Sequence, residues 1–275
     1  MNRISYLFGA VLLCAVLAGG CKDDEPGIEI IPEGNVILAF GESFTFEANG
    51  NVNWEASGGS IDASGRYVAP AFAGVYTVTA KDQSDAQNSA TRKVIVTPHA
   101  TLFKEMQQGG YVIYFRHTTA TVGVDDPAST TPEWWKVCDS AIARQLSDTG
   151  REEAEAIGAA LDNLEFSFAK AISSEFCRCR QTAELMEIDE MVETSNVLTF
   201  NVYNNEANRY EETLQLAHQE LVADKLVALV SHSFPNAGTN PILQMGDAAI
   251  YKKTSDGTSV QLVQIIPVGD WLALK

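Results

Sequence analysis

The sequence predicts two folded domains of different class, a small all-β sandwich followed by a layered α/β domain. Three observations predict it. The 275 residues are too many for one small domain and suit two, at roughly 100–200 residues each. As far as Pro98, apolar and polar residues alternate with the period of two of half-buried strands; beyond it, helical and strand-like runs take turns, the pattern of an α/β layer fold. Finally, 45% of the residues are hydrophobic and 20% charged, an ordinary globular composition able to bury a core.

Charge narrows the function classes. The chain carries 36 acids against 19 bases, a net charge of -17. A sequence-independent nucleic-acid binder needs a basic face to displace phosphate counterions, so no nucleic-acid partner is expected. Docking on anionic lipid through a polybasic surface is excluded on the same ground. Residues 21–98 hold 11 acids and 5 bases and residues 99–275 hold 25 and 13, so the excess is spread over both domains.

Residues 1–20 read as an address. Arg3 gives a positive start, and the apolar run Leu7–Ala18 is too short for a bilayer span of ~20 residues. Small residues follow at the cut site of a secretory signal. Leu17-Ala18-Gly19-Gly20-Cys21 resembles a bacterial lipobox, which implies lipidation of Cys21 and an outer-membrane lipoprotein of the bacterial cell envelope, facing the periplasm or the surface. The alternative is a plain signal with an incidental cysteine. Lys22-Asp23-Asp24-Glu25, in the tether 21–27, resembles the acidic export tag of surface lipoproteins; a solvated tether is the other reading. Acyl chains anchor without a transmembrane helix.

Outside the cytosol, disulfides persist. Cys138, Cys177 and Cys179 allow at most one bridge, Cys138 with Cys177 or Cys179, against three small buried thiols. No Cys/His spacing suggests zinc, and no metal or other cofactor is expected.

Residues 28–98 form the sandwich. Phe44 and Phe46, Tyr76 and Val78, Val94 and Val96 alternate with polar neighbours, and Gly58-Gly59 and Ser64-Gly65 punctuate the strands. Trp54-Glu55-Ala56-Ser57-Gly58-Gly59-Ser60-Ile61-Asp62, then Gly65-Arg66-Tyr67 and Ala69-Pro70, resembles bacterial Ig-like domains. That implies a spacer or adhesion-like module, with glycan or protein contact as the further reading.

Residues 99–275 form the α/β domain. Leu102–Gln108 reads as a short helix and Tyr111–Phe115 as a buried strand. Thr149 and Glu152 suggest a capping box for a helix whose apolar stripe is Ala154, Ile157, Leu161 and Leu164. Ala169–Ser174 is a strand, Gln181–Met186 a helix, Glu206–Leu221 a helix and Leu226–Val230 a strand. A hairpin over 248–267 turns at Ser255-Asp256-Gly257.

Candidate site residues fall at strand ends. Arg116-His117 ends one strand, Ser173-Ser174 another with Arg178 opening the next helix, and His232 a third. In an open α/β sheet such positions converge on one crevice. Guanidiniums fork phosphate oxygens, and a neutral imidazole can attack phosphorus.

These residues carry a resemblance to the histidine phosphatase superfamily. The matching text is Phe115-Arg116-His117-Thr118; Leu146-Ser147-Asp148-Thr149-Gly150; Ser173-Ser174-Glu175-Phe176-Cys177-Arg178 with Gln181-Thr182-Ala183; and Leu229-Val230-Ser231-His232. The resemblance covers roughly 99–275. It implies a three-layer phosphoglycerate-mutase-like fold with a mixed, mostly parallel sheet. It further implies His117 as nucleophile with one ring nitrogen held by a carbonyl, Arg116 and Arg178 as phosphate clamp, and His232 as a second, protonated histidine. Thr118 and Ser233 stand where the family usually has small residues. The family's acid is absent from its usual place, and Glu206 is the nearest candidate proton donor, with Glu211 and Glu212 next. Without an acid, good leaving groups such as phosphoramidates are favoured.

Arg180 reads as a helix-surface residue or one lining the pocket rim, and His99 and His218 as ordinary. The loop 119–135, with Asp125 and Trp134-Trp135, should border the pocket, one tryptophan packing on the domain. The implied function is a lipid-anchored, histidine acid phosphatase-type hydrolase of a small phosphorylated substrate, with mutase activity disfavoured outside the cytosol. The rivals are a phosphohistidine or phosphoprotein phosphatase, and a degenerate binding lipoprotein.

Overall fold

The computed structural model describes residues 27–189, 191–203, 208–234 and 240–275. Cys21, the signal segment, tether residues 21–26 and Glu206 lie outside the described residues.

Residues 30–96 form nine short strands: β1 (Ile30–Ile31), β2 (Val36–Leu38), β3 (Ser43–Thr45), β4 (Glu47–Ala48), β5 (Val52–Ala56), β6 (Ser60–Ile61), β7 (Arg66–Val68), β8 (Gly74–Asp82) and β9 (Ser89–Val96). They build the sheets β2-β9-β8-β5 and β3-β7-β6 and the pair β1-β4. Ile30, Leu38, Phe46, Tyr67, Val78 and Val94 pack between them. Gly65 turns at φ 80°, where a Cβ would stand 2.2 Å from the Phe46 carbonyl oxygen, so no other residue fits. The alternation breaks at Ile95, which with Ile37 packs into the core of the α/β domain.

That domain runs α1 (Ala100–Met106), β10 (Tyr111–Arg116), a 3-10 turn (Trp134–Lys136), α2 (Asp148–Asn163), β11 (Phe168–Ser174), α3 (Cys177–Leu185), β12 (Val192–Ser195), α4 (Arg209–Glu220), β13 (Leu226–Ser231), β14 (Ala248–Lys253), β15 (Val260–Ile266) and α5 (Val268–Leu272). The sheet order is β12-β11-β13-β10-β14-β15. The pairs β12/β11, β11/β13 and β13/β10 are parallel, and β10/β14 and β14/β15 antiparallel. The sheet is therefore mixed and mostly parallel.

Covered strands need apolar residues on both faces, which explains the unbroken runs in β10 and β13. Ile113, Phe115 and Val230 face α1, α2, α3 and α5. Val112, Tyr114, Val227 and Leu229 face α4. Helices thus cover both sides, making three layers. Asn35 donates to Glu165 Oε1 (2.9 Å) and to the Asn163 carbonyl (3.0 Å), and Lys93 to Asn163 Oδ1 (2.7 Å). These bonds seat the β-strand region just before β11, at the amino ends of the parallel strands.

Three local readings change. Ser147, not Thr149, caps α2, its Oγ accepting from the Gly150 amide at 3.1 Å. The edge strand β12 offers little apolar pattern to read, and α5 is too short to show a helical period. Arg180 is half-buried, and its Nη2 donates to the Lys136 carbonyl at 3.0 Å, pinning the loop before α2. No helix among the described residues is long and apolar enough to cross a membrane.

Cys138 and Cys177 form a disulfide across 39 residues of sequence, and Cys179 stays free and buried. The closed loop restrains the unfolded chain, so reduction should lower the unfolding free energy by about 3–4 kcal/mol. Urea unfolding with and without a dithiol reductant measures this; coincident curves would contradict it.

Candidate active site

Strand polarity sets the site. The carboxyl ends of the parallel strands β10, β11 and β13 share one edge, with Arg116 level with Ser231 and Ser173 level with Val230. His117 follows β10, His232 follows β13, and α3 brings in Arg178. The two imidazole centroids lie 5.5 Å apart. The structure therefore brings Arg116, His117, Arg178 and His232 together.

His117 is 1% exposed, and its Nδ1 lies 2.8 Å from the Thr118 carbonyl oxygen. A carbonyl only accepts, so Nδ1 carries the proton and Nε2 keeps its lone pair. Burial first, then the Arg178 charge, push the His117 pKa down to about 3. It is neutral in the resting pocket.

His232 is pushed the same way. Its Nδ1 lies 3.5 Å from Arg178 Nη2, and a guanidinium only donates. Nδ1 thus accepts, and Nε2–H donates to Ser174 Oγ at 3.0 Å. Burial first, then Arg178, hold its pKa well below the usual imidazole value. Tyr114 Oη donates to the His232 carbonyl at 2.8 Å and fixes its backbone.

Both clamp arginines are half-tied. Arg178 Nη1 donates to Asp125 Oδ1 at 3.0 Å, and Arg116 Nη1 to the Leu243 carbonyl at 2.7 Å. In each, Nε is buried without a hydrogen-bond partner among the described residues. Nε of Arg92 and of Arg180, away from the histidines, is in the same state, so what sets Arg116 and Arg178 apart is their place beside His117 and His232. Phe176 stacks under the Arg178 guanidinium at 4.3 Å, with its ring 5.0 Å from that of His232.

A third guanidinium, Arg144, was missed by the sequence reading. It is half-buried, and its charge depresses the pKa values of Arg116, His117 and His232. Its own is lowered by burial and then by Arg178. No motif marks it. The available signal was its place three residues before Ser147, in a segment that must end at the pocket. Gly150 explains why: a Cβ there would stand 2.0 Å from the Thr119 carbonyl oxygen, so α2 begins against the chain leaving His117. Glu153 accepts from Thr119 N (2.9 Å) and Oγ1 (3.0 Å) and seals that contact.

Thr118 is buried, with its Oγ1 3.2 Å from Thr182 Oγ1, so a larger residue than usual is accommodated. Trp134 packs on Phe176 at 5.7 Å. Trp135 Nε1 and Tyr203 Oη both donate to Glu175, at 2.8 and 2.7 Å, a carboxylate the sequence reading did not single out. Glu211 and Glu212 sit in the first turn of α4. His99 pairs with Asp270 at 2.8 Å, and His218 meets the Gly257 carbonyl at 3.1 Å.

The buried Arg178, the half-buried Arg116 and two imidazoles thus meet at the parallel strand ends, an arrangement able to hold an oxyanion. A family model described as histidine phosphatase superfamily (branch 1) matches residues 136–199. The match spans 64 of the chain's 275 residues. The matched stretch holds Ser147, Ser173 and Arg178; His117 and His232 lie outside it.

Similar solved structures include the protein histidine phosphatase SixA complexed with tungstate. It is 18% identical, with a TM-score of 0.42, covering 58% of this chain and 97% of that one. The open reading frame Rv3214 from Mycobacterium tuberculosis is 17% identical, with a TM-score of 0.41, covering 58% and 98%. Phosphoserine phosphatase from Entamoeba histolytica is 12% identical, with a TM-score of 0.40, covering 56% and 95%. No curated protein matches the chain.

The two imidazoles make stability depend on pH. Between 6.5 and about 3 the unfolded chain binds a proton at His117 that the folded pocket refuses, so stability falls as pH falls through that window. The slope per refused proton is about 1.4 kcal/mol per pH unit. Urea unfolding at pH 7 and pH 4.5 should show a shallower pH dependence in His117→Gln; identical dependence would contradict it.

Proposed function

We propose that the protein is a phosphatase that transfers a phosphoryl group to His117 and then to water. The observation that carries this reading is the convergence of the Arg178 and Arg116 charges on His117, whose Nδ1 is held by the Thr118 carbonyl and whose ring lies 5.5 Å from that of His232. Arg116 and Arg178 grip the phosphoryl oxygens, and Arg144 adds positive field. Nε2 of His117 attacks phosphorus as the bond to the leaving group breaks, and the leaving group departs with its electron pair and gains a proton. Water then attacks the phosphohistidine, releasing phosphate and restoring His117. The negative charge of the bound phosphoryl draws a proton onto His232, which then donates to it and stabilises the transition state.

A second reading is supported by the carboxylates. Asp125 and Glu175, which border the pocket, are each held by protein donors. Apart from Glu206, which remains the proposed donor for alkyl esters, this favours substrates with good leaving groups, phosphohistidine and other phosphoramidates among them.

The setting proposed is the bacterial cell envelope, with lipidation at Cys21 as anchor, an acidic tether, and residues 28–98 as an Ig-like spacer able to contact glycan or protein. The acid-rich surface suits solubility there.

Quenching the protein after mixing with labelled phosphate esters should trap an acid-labile, base-stable adduct that is absent in His117→Ala. No adduct and no turnover on any ester would reject the enzyme reading and leave a degenerate binding protein. Arg144→Ala should lower kcat/KM roughly tenfold, the scale of removing one nearby charge; an unchanged value would show that its field does not reach the substrate.

A further inference from the structure

The segment between Thr119 and Ser147 holds no long helix or strand, yet it is tied to the pocket at several points. Its carboxylate Asp125 is 30% exposed in the side chain, but its partner Arg178 is only 5% exposed, unlike an ordinary surface ion pair. Asp125 Oδ1 accepts from Arg178 Nη1 at 3.0 Å and from the Arg144 amide at 3.0 Å. One oxygen atom thus joins both ends of the segment to the helix that carries the clamp.

We propose that Asp125 is the positioning residue for Arg178, an inference that rests on the phosphoryl-transfer reading above. Nη1 is the corner of the guanidinium away from the Nε–H bond. Holding it there turns the Nε–Nη2 edge toward His232, with Nη2 3.5 Å from His232 Nδ1. The Phe176 ring under the guanidinium limits its tilt but not its rotation within its own plane. Asp125 removes that remaining freedom. The Cys138–Cys177 disulfide, immediately before Arg178 in sequence, keeps the segment within reach. Asp125 Oδ1 is engaged by a cation and an amide, as a positioning acceptor would be. A competing anion would occupy the Nε–Nη2 edge, and Asp125 takes the other corner.

The test is a double-mutant cycle on the purified full chain with Arg178→Ala, read by kcat/KM on aryl and alkyl phosphates and by calorimetric affinity for tungstate. Asp125→Ala should lose about 100-fold in kcat/KM, the scale of a small misplacement, equally on both ester classes. Tungstate affinity should fall in parallel, and Asp125→Asn, which keeps an acceptor oxygen, should recover part of both. In the Arg178→Ala background, Asp125→Ala should add less than twofold. A far larger loss on alkyl than aryl esters would make Asp125 an acid instead. Tighter tungstate binding in Asp125→Ala would make it a competitor, and a full effect without Arg178 would also overturn the proposal. If the wild type shows no turnover, the tungstate cycle still decides the positioning role while the enzyme reading fails.

Discussion

Burying like charges together is costly unless something of opposite sign completes the set, and the structure is organised around that constraint. Arg116, Arg144 and Arg178 press on one another and on two imidazoles at the carboxyl edge of the sheet. The fold responds in two ways. It strips the imidazoles of protons, and it ties one Nη of each clamp arginine to a protein acceptor while leaving Nε without one. Asp125 on Arg178 and Asp247 near Arg116 offset part of that charge. Stability, protonation and binding at this edge are therefore one problem.

The chain's overall charge does not oppose this. A net charge of -17 is a property of the solvated surface, where screening acts over roughly 8–10 Å. The pocket's field comes from groups within a few ångströms of one another in a medium of lower dielectric. An acidic body and a cationic crevice coexist because the two fields are felt over different ranges.

The parts legible in the sequence were those written in local pattern. β10 and β13 show as unbroken apolar runs, and parallel polarity then delivers Arg116-His117, Ser174 and His232 to one edge. What escaped was written in contacts between distant residues. Asp125 meets Arg178 across 53 positions, and neither its neighbours nor those of Arg144 carry a period or a motif. β12 and α5 were missed because neither shows a run or period long enough to read. Glu206 lies outside the described residues and is proposed only as the acid nearest to a position that holds no acid here.

The central claim is that the crevice is an oxyanion site with its nucleophile already in place. Locating tungsten by anomalous diffraction in crystals soaked with tungstate tests it most directly. The account predicts one tungsten in the crevice, with oxygens within hydrogen-bond distance of Nε of both Arg116 and Arg178 and with His117 Nε2 facing the metal atom. A crevice left empty at saturating tungstate, or an ion bound with those two Nε atoms still unpartnered, would contradict it.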